Sequence, residues 1–475
     1  MIKKEKEYIT EGRTDRMKIL IKGAGDLATG IASRLYGAGH QILMTEISTP
    51  LTVRRTVALS RAVYESCAEV EGMRGFRTDS QEEAGEILSR GDIPVMVDPE
   101  AECRRWYEPD VIVDAILAKK NLGTKITDAP FVIGVGPGFT AGNDCHCVVE
   151  TKRGHTLGNV IWQGSAIPNT GVPGNVGGYT IERLIRASAS GKIEPRVKIG
   201  DYVEAGQVVA ITGGKPVYAQ MSGIVRGMLQ EDAAVTENLK IGDIDARAEI
   251  SHCHTISDKA RAIGGGVLEA VSRFGLMEGR YAIVILAAGA GTRFGGDKLR
   301  AMVREMPIYE HMLDKVKAFS SFPSFIVTGD GQIAEAAEKR GVAAVQNTEP
   351  EKGISLSLRL GLEAVQKAYA DAGRGDSLRG ILFSVCDQPG LETATMQKIF
   401  NTAVLHPGSI VCAGRAGRTG NPVLWDRRYF SELAGLTGDV GGRQIMNDHK
   451  DRIRIIEAEA EELIDVDRRE DLRSL

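Results

Sequence analysis

The chain has 475 residues, of which 43% are apolar and 26% charged, enough for about three domains at roughly 150 residues each. That balance excludes a mainly disordered chain or a coiled coil. The 59 Lys and Arg against 63 Asp and Glu leave a net charge of −4, so neither nucleic acid nor a membrane surface is an expected partner.

Residues 1–16 are charged and lack the apolar stretch of a signal peptide, so they read as a disordered tail. Lys18–Lys22 is a short apolar strand that runs into GAGDLATG and an amphipathic segment from Leu27 to Gly37. Further strands are predicted at Gln41–Thr45, Pro94–Val97 and Val111–Ile116, an alternation that implies a parallel α/β sheet and a Rossmann-like domain over 17–130. Its first turn holds a candidate ligand loop. Gly23 allows the tight turn, Gly25 lets backbone approach a phosphate, Ala28 permits close packing, and Glu46 ends the next strand where an acid can accept from ribose hydroxyls. An adenine dinucleotide or another nucleotide is the expected ligand; a plain fold element, or a site for a different anion, is the alternative.

From 131 to 195 dense glycine predicts loops, and 196–250 reads as a small β-rich module. Residues 251–279 read as a return segment and linker, and 280–475 as a second α/β domain. No apolar run approaches the ~20 residues needed to span a bilayer. Seven scattered cysteines point to a reducing cytoplasm. Cys145 with Cys147 are candidate soft ligands, since alternate residues of a strand share a face. Cys253 is a candidate reactive thiol or a small buried hydrophobe, and His155 in its glycine-rich loop is a candidate polar-site residue.

Ile283–Leu299, IVILAAGAGTRFGGDKL, is a strand followed by a glycine-rich loop. Leu286, Ala287, Ala288, Gly289, Gly291 and Gly295 offer backbone to a nucleotide, and Arg293 and Lys298 offset phosphate charge. The Walker A spacing is absent. Asp387 ends an apolar strand, and Asp467 or Asp465 could complete a pair of hard oxygen ligands for Mg²⁺.

This segment resembles the nucleotidyltransferase group that contains the molybdenum cofactor cytidylyl- and guanylyltransferases, with Gly291 at the usual serine position and Phe294 at the usual methionine. Gly353-Ile354-Ser355-Leu356-Ser357-Leu358, Val385-Cys386-Asp387-Gln388-Pro389, Gly420-Asn421-Pro422, Gly438-Asp439-Val440-Gly441-Gly442-Arg443 and Asp465-Val466-Asp467 follow in that group's order. The resemblance implies a GT-A-like fold, catalytic roles for Lys298, Arg293 and Asp387, nucleotide contacts from Gly353, Ser357 and Gln388, and CTP rather than GTP, because Ala288 and Gln388 are cytidylyl-type. The module at 196–250 resembles the barrel-sandwich hairpin of biotinyl and lipoyl domains without their modified-lysine turn.

The first half, in IKGAGDLATGIA, ETKRGHTLGNVI and TISDKARAIGGGVLEA, resembles accessory proteins of the selenium-dependent molybdenum hydroxylase system. Together the resemblances imply a fusion of two maturation factors, CMP transfer to molybdopterin cofactor, and an apo-hydroxylase as partner. A non-catalytic cofactor carrier and a sugar-phosphate nucleotidyltransferase are the competing functions.

Overall fold

The structure, a computed structural model, describes residues 16–169, 171, 178–288 and 294–474. The chain divides into two units, residues 16–271 and 272–474 among those described. Both are mixed α/β.

The first unit is built on a nine-stranded sheet with Lys18–Lys22 near its middle. Gln41–Glu46, Ile93–Val97 and Met73–Thr78 extend it in parallel on one side, Val111–Asp114, Phe131–Val135 and Cys147–Val149 on the other. Antiparallel strands Cys67–Val70 and Val160–Ile161 close the two edges. The central strands are apolar runs because both faces are covered. The chain leaves Lys18–Lys22 to one side and returns to its other side at Val111–Asp114. That reversal opens a crevice at the carboxyl end of the first strand.

Gly23 turns there at φ +94°, where a side chain would also meet the Ala115 carbonyl oxygen at 3.0 Å, so the turn itself demands glycine. Helix Asp26–Gly37 follows. It is crossed at very close range by helix Asp258–Met277: a Cβ on Gly30 would lie 2.5 Å from Ala260 Cβ, and one on Gly264 would lie 2.6 Å from the Gly30 carbonyl oxygen.

Three expectations change here. The stretch read as loops from 131 to 195 contributes three strands to the main sheet; Phe131–Val135 is an apolar run buried along its whole length. Residues 251–279 are no linker, being mostly the 20-residue helix Asp258–Met277. The β-rich part begins before 196: two four-stranded antiparallel sheets use strands between Leu184 and Asp245, with a core of aliphatic side chains such as Ile193, Val209 and Ile244.

The second unit has a seven-stranded sheet in the order Ala343–Gln346, Ser324–Thr328, Tyr281–Leu286, Gly380–Val385, Arg418–Asp426, Ile410–Arg415, Ile453–Glu457. The first four strands are parallel. Leu286 is in register with Val385, so the loops that follow these two strands start side by side. The core gathers Trp425, Tyr429, Tyr369 and Phe383. Among the described residues no helix is long and apolar enough to cross a membrane.

Candidate functional site

In the second unit the chain passes from Tyr281–Leu286 to one side of the sheet and comes back at Gly380–Val385 on the other, so a crevice forms at their carboxyl ends. Three distant segments meet there. Lys298 Nζ donates to Asp387 Oδ2 at 2.5 Å and to Asp467 Oδ1 at 3.2 Å. The C-terminal segment is brought in by backbone, since Val466 N–H donates to the Asp387 carbonyl oxygen at 3.0 Å. Burial pulls the Lys298 ammonium down, but Asp387 and Asp467 more than offset it, so its pKa lies above the ordinary lysine value. Asp465 stands beside them. Burial, then the charges of Asp387 and Asp467, push its carboxyl up to about 6 against a hydrogen bond from Gln388.

The predicted residues divide in three. Ala287, Ala288 and Lys298 line a cleft of about 530 Å³ with Asp297, Asp330, Asn347 and Thr348. Leu286 ends its strand behind them, half-buried, and Gly295 is exposed after the loop. Gly289, Gly291 and Arg293 lie outside the described residues. Gly353 and Ser357 sit at the start of helix Ile354–Asp371 and act on the cleft through others. Ser357 Oγ accepts from Asn347 Nδ2 at 3.0 Å, and Asn347 is the residue that lines the wall. The Gly438–Asp439 turn clamps the helix start: Ser355 Oγ donates to the Gly438 carbonyl oxygen at 2.6 Å and Ile354 N–H to Asp439 Oδ1 at 3.4 Å. Asn347 and Asp330 went unpredicted; both follow strand ends, and only the sheet order shows that these ends face Lys298.

A divalent cation can be tested against these groups. Asp387 Oδ1 is buried and accepts no hydrogen bond from the described residues, a costly state for a carboxylate oxygen. Asp387 and Asp467 already hold one cation, Lys298, between them. Among the described residues no group of three or more His, Cys, Asp and Glu could hold a metal alone. Two carboxylates with the remaining positions left to phosphate and water is the pattern Mg²⁺ favours, so the residues fit the ion.

Lys315 supports the same strand end. Its ammonium donates to the Pro389 carbonyl oxygen at 2.8 Å, and burial pulls its pKa down to about 8. A lysine lowered on folding costs stability while protonated, and that cost disappears as pH rises from 8 towards its unfolded value near 10.4. Wild-type melting temperature is therefore expected to gain on that of Lys315→Met across this window. Parallel pH–Tm curves for the two proteins would contradict it.

In the first unit the candidate loop opens onto a cleft of about 1100 Å³ lined by Gly23, Gly25, Ala28 and Glu46. Glu46 is engaged with backbone: Oε2 accepts from Ala24 N–H at 3.0 Å and Oε1 from Ile47 N–H at 2.9 Å. Burial raises its pKa against those two bonds. Gly25 has an ordinary negative φ, and a Cβ there would meet only Thr52 Oγ1 at 3.5 Å. The fold would accept a side chain at Gly25, unlike Gly23.

The cysteine candidates are core residues. Cys145 and Cys147 are fully buried, and burial pushes the Cys145 thiol up to about 12. His146 between them accepts from Val132 N–H through Nδ1 at 2.9 Å. Cys253 is buried with its thiol raised and its Sγ 3.8 Å from the Val225 carbonyl oxygen. Low thiolate character argues against reactivity at either place. His155 is exposed in a turn beside Lys152 and Arg153.

Residues 283–453 match the family model described as "MobA-like NTP transferase domain"; the C-terminal part of the chain thus carries an NTP transferase domain. The chain is 51% identical over 253 residues to the Escherichia coli protein "Uncharacterized protein YqeB", a match over 53% of this chain and 47% of that one. It therefore spans about half the length of this curated relative. Among solved structures, Rv0371c of Mycobacterium tuberculosis is 25% identical, covering 41% of this chain and 96% of that one, at a TM-score of 0.34. The molybdopterin-guanine dinucleotide biosynthesis protein A of Archaeoglobus fulgidus is 14% identical over 41% of this chain and 95% of that one, at a TM-score of 0.31.

Proposed function

We infer that the C-terminal domain transfers CMP from CTP to the phosphate of molybdopterin cofactor, releasing pyrophosphate, and that the chain serves maturation of a molybdenum hydroxylase of the selenium-dependent kind, whose apo-enzyme would receive the product. The observation that carries the transfer is Lys298 held between Asp387 and Asp467 at the mouth of the nucleotide-sized cleft. The family description of residues 283–453 supports it.

In this reading an acceptor phosphate oxygen forms a bond to the α-phosphorus while the bond from that phosphorus to the bridging oxygen of the β-phosphate breaks. Lys298, fixed by two carboxylates, meets the charge that develops on the transferring group without having to reorganise. Mg²⁺, when bound by Asp387 and Asp467, would offset charge on the phosphate oxygens. Ala287 and Ala288 leave room for the nucleotide at the end of the central strand. The base preference rests on the cytidylyl-type residues Ala288 and Gln388.

Incubation with Mg²⁺, molybdopterin and each NTP separates the competing readings. Pyrophosphate release with CTP and molybdopterin is expected; a carrier would release none, and a sugar-phosphate nucleotidyltransferase would release it only with a sugar phosphate. CTP is also expected to raise the melting temperature more than GTP at equal concentration, because stabilisation follows affinity for the native state. A larger shift with GTP would reverse the base assignment.

A further inference from the structure

The cleft of the first unit has a chemistry that neither nucleotidyl transfer nor the glycine loop explains. Ten Lys and Arg residues line it against four Asp and Glu, in a chain whose net charge is −4. The positive excess is local and concentrated on walls that the loop does not supply.

The basic wall is built. Asp243, fully buried, accepts from Arg183 Nη1, from Arg226 Nη2 at 2.5 Å and from Arg226 Nε at 3.1 Å. Lys240 Nζ lies 3.6 Å from the same carboxylate. Three cations thus share one acid, and a second, Asp245, is shared between Arg226 and Arg247. Arg54, 7% exposed, lies 3.6 Å from Asp26 on the first turn of helix Asp26–Gly37 and donates to the His252 and Thr255 carbonyl oxygens. Lys259 enters from the first turn of helix Asp258–Met277. Burial, with Arg183 and Arg226, lowers Lys240 against Asp243 and Asp26, and burial, with Arg153 and Lys240, lowers Lys259 against Asp26 and Glu150. Crowding cations this way costs free energy that an anionic ligand would recover.

The rim is different in kind. Ile47, Leu51, Ile116, Leu122 and Ile167 are exposed large apolar side chains, and all five line this cleft. A free inorganic anion has no use for such a lip, whereas a ligand with an uncharged body does. The volume of about 1100 Å³ suits a molecule of nucleotide size or somewhat larger.

We propose that this cleft is a second ligand site, taking a phosphate-bearing molecule of nucleotide size whose phosphate or pyrophosphate lies against Arg183, Arg226, Lys240 and Lys259 and whose uncharged body lies on the apolar lip. Gly25 then remains without a side chain because the ligand passes close to it, and Glu46 braces the loop from behind. The site is independent of the transfer chemistry in the other unit.

The test uses the full chain. Lys240 and Lys259 are footprinted by amine acylation and mass spectrometry with inorganic phosphate, inorganic pyrophosphate, NAD or CTP present. Pyrophosphate should protect both lysines, and a nucleotide should do so at lower concentration because of the lip. Protection should persist in Lys298→Gln, which weakens the other unit's phosphate site. Calorimetry on Lys240→Gln and Lys259→Gln, half-buried positions that leave the Asp243 pairing with both arginines in place, should show binding weakened about ten-fold or more each, the scale of one charge-assisted hydrogen bond. Absence of protection at millimolar pyrophosphate and nucleotide would overturn the proposal. So would loss of protection in Lys298→Gln, or full binding by both lysine variants with binding abolished by Gly25→Val, which would place the phosphate on the loop alone.

Discussion

Asp387→Ala is expected to lower pyrophosphate release by roughly 10²–10³-fold or more, the scale lost when a preorganised charge-stabilising group is removed, while the melting temperature changes little. The two halves of this expectation have separate causes. Asp387 is the one residue that both grips Lys298 and carries a buried oxygen with no partner among the described residues, so the variant loses metal-binding capacity and the positioning of the lysine together. For the fold, Asp387 cuts both ways, because it also steadies the half-buried Lys298 ammonium. It raises the Asp465 carboxyl, and an unpaired buried carboxylate oxygen costs about 1–3 kcal/mol. Asp387→Asn, which keeps the shape, should lose activity comparably. Near-normal turnover in either variant would refute the site assignment.

Gly353→Ala is expected to destabilise the C-terminal unit by about 3 kcal/mol or more and to lower its melting temperature by roughly 6–12 °C. The residue sits at φ +88°, ψ 176°, a region that glycine almost alone occupies. A Cβ there would stand 2.6 Å from Asp439 Cα, a backbone atom that cannot swing aside. The clash pushes apart the helix start and the Gly438–Asp439 turn, so nucleotide affinity should fall along with stability. A melting temperature within a degree or two of wild type, measured by calorimetry, would show that the turn is free to shift.

Much of the second unit could be read from the residues because its chemistry is carried by short motifs at strand ends. Tyr281–Leu286 and Gly380–Val385 are apolar runs followed by Ala287-Ala288 and Cys386-Asp387, and a parallel sheet brings such ends together. The motifs imply that Lys298, Asp387 and Asp467 serve one site, but the direct pairing of Lys298 with Asp467 across 169 residues is visible only in the structure. Asn347 and Asp330 carry no mark in the sequence, because an Asn or Asp after a short strand reads as ordinary turn chemistry. Ser357, a nucleotide contact by resemblance, accepts from Asn347, which itself lines the cleft.

The first unit was harder for a different reason. Phe131–Val135 is a strand hidden among glycines, whose density suggested loops. The basic wall was invisible because Arg183, Arg226 and Lys240 fall in a region whose pattern speaks only of alternating strands. Their convergence on Asp243 exists only once strand Lys240–Asp245 pairs with Gly223–Met228 and Leu184–Arg186.

The crossing of helices Asp26–Gly37 and Asp258–Met277 has a consequence for selectivity. Gly30 and Gly264 bring one backbone against the other, with no room for a Cβ on either. The first helix carries the Gly25 end of the cleft and the second carries Lys259, so this contact sets, like a calliper, the gap between those two jaws of the cleft. A methyl group at either glycine would open the jaws, altering which ligand sizes fit without touching any of them. Cleft width in this unit is thereby an inherited dimension of two residues that have no side chain, set well away from the charges that do the holding.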